Sequence, residues 1–266
     1  MDQTPPDAFG PEPDYFEPMS AQSRRLGWDE LVEDTVGVNL RGLKTIWTAF
    51  WDPKELFSAA RYADWQGRRF GPTLRVYLLI LAIVLFFQFI WADPNSQIAE
   101  AFRESTGGLD DIDPTFADEA TVLDAVESYV VIYPVVLIIF SLFASCMVRI
   151  WGKGTPLLAR LRLYFATVIP GAVLGIFSTL SLAAVPLEQA MVPTVAAVSI
   201  GGLVDGATAF RGLSPVHTAG ARVWRSIVFA LTNITVLVTA SLVSTLLTLL
   251  FIAFKIGLEV GMAGAG

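Results

Sequence analysis

Three polar side chains interrupt stretches that are otherwise apolar: Gln88, Asp205 and Asn233. A carboxyl or amide group inside a membrane is costly unless it pairs or reaches water, so such residues mark helix contacts or ion pathways. Gln88 falls near the outer end of its stretch, and Asp205 and Asn233 near the inner ends of theirs, positions from which each can reach headgroups or water. Asp205 is placed to neutralise Arg211, Arg222 or Arg225, a structural pairing favoured over a proton or ion relay. His217 is the only histidine and lies in a basic loop, a solvent-facing position, and neither a Gly-x-Ser-x-Gly nor a His-Glu-x-x-His pattern occurs. Asp110, Asp111 and Asp113 could offer oxygen ligands, but the glycine and terminal glutamate of a calcium loop are missing at their spacings, and a solvated acidic surface is expected. Cys146 is the only cysteine, which excludes an intramolecular disulfide and a cysteine metal cluster. No catalytic, cofactor-binding or metal-binding residue is assigned, and an enzyme is not expected.

The elements carrying these groups are membrane helices. Of 266 residues 54 % are hydrophobic and 16 % charged, with a mean hydropathy of +0.57, so water is not the main solvent. A spanning helix needs roughly 20 apolar residues to cross a hydrocarbon layer of about 30 Å. Stretches 73–92, 129–148, 163–187, 189–210 and 226–254 qualify, giving an all-α, polytopic transmembrane helical bundle with five spans. Pro170 is expected to kink the third. The fourth carries Gly201, Gly202, Gly206 and Asp205 and is the least apolar; the fifth is longer than a bilayer is thick and must tilt or protrude.

Basic residues set the direction, because short cytoplasmic loops retain Lys and Arg. Sixteen of the 18 basic residues precede the first span or open it, or join spans two to three and four to five; only Arg103 and Lys255 fall on the other side. This alternation supports five crossings with the N-terminus cytoplasmic and the C-terminus outside, and it restores the doubtful fourth span. Without that span, Arg211, Arg222 and Arg225 would be outside. The net charge of −7 conceals this segregation: the outer loop 93–128 holds ten acidic residues against Arg103. Two short helices around an acidic turn are expected there, and residues 255–266 form a short outer tail. With no apolar N-terminal signal region, the first span is expected to direct insertion, most economically into a bacterial inner membrane. No nucleic-acid partner is indicated.

Small and hydroxylated residues then set helix contacts. Gly171-x-x-x-Gly175 in span three and Gly202-x-x-x-Gly206 in span four let backbones approach closely, within the chain or between copies of it. Span five carries Thr232, Thr235 and Thr239 on one face and Ser241, Ser244, Thr245 and Thr248 nearly opposite, which suits interhelical packing better than a polar pore.

Residues 1–27 form an acidic, proline-rich cytoplasmic tail that cannot bury enough apolar surface to fold alone. From Trp28 the spacing of Val32, Val36, Leu40, Leu43, Trp47 and Phe50 predicts an amphipathic helix at the headgroup layer, with packing on the inner ends of the spans the alternative. A second helix starts at Asp52-Pro53-Lys54-Glu55, where Asp52 can cap and Pro53 suits the first helical position, and it is expected to run past Trp65 to a Gly67 stop. Arg68, Arg69 and Arg75 then face lipid phosphate.

The stretch from Tyr62 through Gly67-Arg68-Arg69, Pro72 and Tyr77 resembles the segment leading into the first membrane helix of a bacterial family of uncharacterised multi-pass membrane proteins. Val76 departs from the usual residue before the tyrosine. The five-span, N-inside layout is also similar to that of Yip-type membrane proteins, which interact with small GTPases. The resemblances imply a multi-pass membrane protein and carry over no catalytic residues. A noncatalytic scaffold or partner-binding protein is expected, with the lipid bilayer, and a protein partner or a second copy, as its partners. A small transporter or channel component is the alternative, and a membrane-embedded enzyme the second alternative.

Overall fold

A computed structural model describes residues 40–63, 70–90, 96–106, 118–152, 154–182, 185, 187–213 and 217–263. They form α1 (Leu40–Trp51), α2 (Pro53–Tyr62), α3 (Thr73–Ile90), α4 (Gln97–Thr106), α5 (Glu119–Met147), α6 (Leu157–Leu182), α7 (Leu187–Gly212) and α8 (Ala219–Ala263), with no strand among the described residues. Five helices, α3 and α5 to α8, are long and apolar enough to cross a membrane. The chain is therefore a multi-pass helical membrane protein.

In lipid there is little hydrophobic gain from helix association, so close packing and interhelical hydrogen bonds decide which faces meet. The spans pack in the order α3, α6, α7, α8, α5, with α5 closing back onto α3 and α6. Leu163, Tyr164, Phe165, Ala166, Thr167 and Ile169 are all buried, which is what a helix surrounded on every side requires. α6 is accordingly the central post. The outward faces are apolar instead of polar: Val131, Val135, Ile139 and Phe143, four residues apart, form an exposed stripe along α5, and Phe86, Phe89 and Ile90 do the same at the end of α3. Such faces match a hydrocarbon solvent.

The helix limits differ from those read off hydropathy. α5 begins at Glu119, inside the expected outer loop, and α8 runs over 45 residues, taking in Arg222 and Arg225 at its start and most of the expected outer tail at its end. The extensions support each other, since Val122, Ala125 and Val126 pack with Ile252 and Ile256, together with Ala99 and Phe102 of α4. Lys255 and Asp124 form an ion pair there. α5 also contains Pro134 within its helix.

At the opposite, basic end α1 and α2 lie across the bundle. Asp52 caps α2 by accepting from the Glu55 amide at 3.3 Å, and Pro53 takes the first turn. The helix stops at Ala63, in the left-handed region at φ 53°, well before Gly67. Trp65, Gly67, Arg68 and Arg69 lie outside the described residues, as do residues 1–39 and the acidic turn with Asp110, Asp111 and Asp113. Of the two alternatives for the amphipathic helix, α1 shows the packing on the bundle: Thr45, Thr48 and Ala49 are buried, while Trp47 and Trp51 are 65 % and 64 % exposed, their ring centroids 5.5 Å apart, and Leu43 is exposed on the same helix.

Backbone-directed bonds fasten this cap. Thr45 Oγ1 receives the Gly71 amide at 2.8 Å and donates to the Gly71 carbonyl at 3.0 Å, while Thr73 Oγ1 of α3 donates to the Arg162 carbonyl of α6 at 2.9 Å and so joins the two spans beneath it. Arg211 donates to the carbonyls of Phe50, at 2.6 Å, and Trp51. The Phe57 ring fills the space that a Cβ at Gly212 would need. Between α5 and α6, Gly152 and Gly154 take φ of 118° and 87°, values that favour glycine, and Arg160 ties the turn to the Thr155 carbonyl at 2.9 Å.

Candidate functional site

The polar groups that hydropathy places at span ends meet inside the bundle. In α6, Pro170 supplies no amide and its ring crowds the carbonyl four residues back, which loosens the helix ladder. The next residue has no side chain, and its backbone is open to approach. The Gly171 amide donates to Asp205 Oδ1 of α7 at 3.0 Å, and the carboxylate occupies the place where a Cβ at Gly171 would stand, 2.5 Å from it. Asn233 of α8 donates from Nδ2 to Asp205 Oδ2 at 2.6 Å and receives the Tyr164 hydroxyl at Oδ1 at 3.1 Å. The two contacts fix the orientation of the Asn233 amide, with its NH2 toward the carboxylate.

Tyr164 extends the chain of contacts. Ser141 of α5, itself buried, lies beside Tyr164 and also beside Tyr77 of α3. Every span thus contributes: Tyr77, Ser141, Tyr164 with Gly171, Asp205 and Asn233. Asp205 is 2 % and Asn233 7 % exposed, so neither reaches headgroups or water as expected. No salt bridge joins Asp205 to Arg211, Arg222 or Arg225 among the described residues, which corrects the pairing expected from the sequence. Arg211 holds α1, Arg225 holds the Ile150 carbonyl at 2.7 Å, and Arg222 lies over the Phe210 ring.

Depth follows from helix rise. Gly202 is central in the apolar segment Val192–Gly212 and Ile169 in Leu157–Ser181, so Asp205 and Gly171 lie within about 5 Å of the middle of their spans. A carboxyl group near the centre of a membrane bundle, held by two donors and facing hydroxyls, can bind a proton, accept a cation or act as a fixed interhelical staple. It is not accompanied by an imidazole: His217 contacts Arg225 at the basic end and is half-buried there, not facing solvent freely.

The remaining candidates are scattered. Gln88 is half-buried on α3, its Oε1 without a hydrogen-bond partner, and Arg75 at the start of α3 has its Nε unpartnered. Gly202 and Gly206 face α8, toward Ile234 and Ala230, whereas Gly175 and Gly201 have open space where a Cβ would be. In α8, Thr232, Thr235, Ser244 and Thr245 bond back to carbonyls four residues earlier, and Ser241 meets the Tyr129 hydroxyl at 3.3 Å. Among the described residues no three His, Cys, Asp or Glu side chains group to hold a metal. The tyrosines and Ser141 are absent from the sequence-derived candidates. Their signal was weak, because tyrosine and serine in apolar helices are ordinary at membrane interfaces and packing contacts.

No protein-family model matches the sequence, and neither the curated proteins nor the solved structures contain a similar chain.

Proposed function

We propose that this chain is a noncatalytic membrane scaffold: a five-span body in a bacterial inner membrane, with its N-terminus in the cytoplasm and its C-terminus outside, that holds a partner at the cytoplasmic surface. The observation behind this reading is the cap. α1 and α2 are fastened to the bundle through Thr45 and Arg211, yet they leave Leu43, Trp47 and Trp51 exposed, an aromatic face that suits a headgroup layer. A rigid platform with an aromatic anchor suits presentation of the tail that precedes it.

Crosslinking in native membranes followed by affinity capture tests it. The full chain should recover a reproducible partner that a chain lacking residues 1–39 loses; no reproducible partner contradicts the reading.

A second reading, a small transporter or channel component, is favoured by Asp205 alone, a buried carboxyl without a cation beside it among the described residues. Its test is proton or cation flux in reconstituted vesicles. Flux that is lost in Asp205→Asn and Asn233→Ala supports transport, and unchanged flux in both removes these residues from any pathway.

A further inference from the structure

Among the described residues, the basic end of the bundle gathers donors and positive charge with no carboxylate paired to them. Arg61 closes α2, His217 lies just before α8, and Arg222 and Arg225 follow in the first two turns of α8, three residues apart and so on neighbouring positions of one face. Arg225 reaches both the Ile150 carbonyl and the His217 ring. The Arg222 guanidinium lies 4.7 Å from the Phe210 ring centroid, and its Nε is buried without an acceptor. Trp151 is 1 % exposed, packs edge-on against Phe229 one turn beyond Arg225, and its indole N–H, a donor only, has no acceptor either. None of Arg61, Arg222 and Arg225 forms an ion pair with a described carboxylate.

Like charges brought together cost free energy, and buried donors without acceptors add to that cost. Both are relieved by one kind of ligand, an anion with several oxygens. Burial and the charges of Arg225 and Arg61 hold the His217 ring below its ordinary titration range, as expected where cations converge. The first-turn amides of α8 add the positive end of a helix dipole on the same side.

We propose that Arg61, His217, Arg222 and Arg225 form a binding site for an anionic phosphate group, supplied either by the headgroup of an acidic phospholipid or as free inorganic phosphate. Guanidinium forks match phosphate oxygens in pairs, and α2 and α8 would be bridged by the shared anion. Occupation also neutralises the charges that hinder His217 protonation. Binding of a phosphodiester headgroup, whose charge does not change in this range, therefore tightens as pH falls through the imidazole range, with Arg225 from α8 and Arg61 from α2 as the charged groups acting on the ring.

The experiment uses the full chain in a neutral detergent and reads its thermal unfolding midpoint with phosphatidylglycerol, phosphatidylcholine, inorganic phosphate or chloride, at equal ionic strength. A ligand at a hundred times its Kd should raise the midpoint by about 3 °C or more, and phosphatidylcholine and chloride should not. A rise with phosphatidylglycerol alone assigns the headgroup, with inorganic phosphate alone the free anion, and with both the phosphate chemistry in general. Arg61→Gln and Arg222→Gln should each lose at least half of the rise, whereas Arg103→Gln at the far end keeps it. Arg225 also supports the Ile150 turn, so its replacement would disturb the fold together with the site, and the test rests on Arg61 and Arg222 instead. With phosphatidylglycerol, which does not titrate in this range, His217→Gln should retain a rise at pH 8 and lose its growth toward pH 6. No selective rise with either phosphate source, or a full rise in both Arg61→Gln and Arg222→Gln, overturns the proposal.

Discussion

Asp205 and Gly171 define one contact between them, and it can be attacked from either side. Replacing Asp205 by Ala strands the Gly171 amide and the Asn233 NH2 in a buried place, which costs roughly 1–3 kcal/mol for an unmet buried group. Average interhelical hydrogen bonds in membranes are weaker, about 0.6 kcal/mol, because the separated helices find other partners. A carboxylate with two donors belongs at the upper end. Gly171→Ala should cost about 1–3 kcal/mol by a different route, since its Cβ would stand 2.5 Å from Asp205 Oδ1 and expel the carboxylate. Thermal unfolding in detergent checks both, and the double variant should lose less than the sum of the single losses because the two share one contact. Asp205 itself was legible in the sequence as a charge among apolar residues. Asn233 was legible in the same way, but its pairing with Asp205 and the rest of the network were not, because the Gly171 backbone amide carries no sequence signal and Tyr164, which meets Asn233, looks like any membrane tyrosine. The arginines nearby in sequence pointed to the wrong partner, since they are spent on carbonyls and a ring.

His217 gives a pH dependence of definite sign. Burial first, then Arg225 and Arg61, lower its proton affinity below the ordinary value of 6.5. The unfolded chain then binds the proton more readily than the folded one. In detergent without phosphate the His217 contribution is fully present above pH 6.5 and is lost as pH falls below it toward the lowered folded value. His217→Gln should flatten the part of the curve that falls below pH 6.5. An equally steep loss in the variant assigns the effect to other groups.

Helices differ in how much of them hydropathy reveals. The five apolar segments were readable, because roughly 20 apolar residues leave little alternative. Their ends were not: a membrane segment stops at the first charges, but a helix continues for as long as its polar turns have something to pack on. α5 continues back to Glu119 because Val122, Ala125 and Val126 find Ile252 and Ile256, and α8 continues outward for the same reason. Glycine spacing was similarly half-informative. It announces close approach without naming the partner, and Gly202 and Gly206 serve α8, whereas α6 meets α7 through Gly171. A Cβ at Gly206 would stand 3.2 Å from Ala230 Cβ, and nothing stands near Gly175. Gly206→Val should therefore destabilise by about 1–3 kcal/mol, and Gly175→Val should be within about 0.5 kcal/mol of the parent. Equal losses at both positions, measured by thermal unfolding, would show that helix propensity and not packing decides.

For the whole molecule the main division is between its two ends. One is braced by the cap and by arginines bonded to backbone carbonyls, the other by an apolar knot of α4, α5 and α8 with a single described ion pair, Lys255 with Asp124. The central post α6 and the polar chain from Tyr77 to Asp205 join them. An odd number of crossings requires the two termini to lie on opposite sides of the membrane. With Cys146→Ser as background, a single cysteine in place of Ala8 or of Ala265 can be labelled in intact cells and in inverted vesicles with an impermeant maleimide. The five-span arrangement predicts labelling of position 8 only from the cytoplasmic side and of position 265 only from outside. Labelling of both from the same side would contradict it.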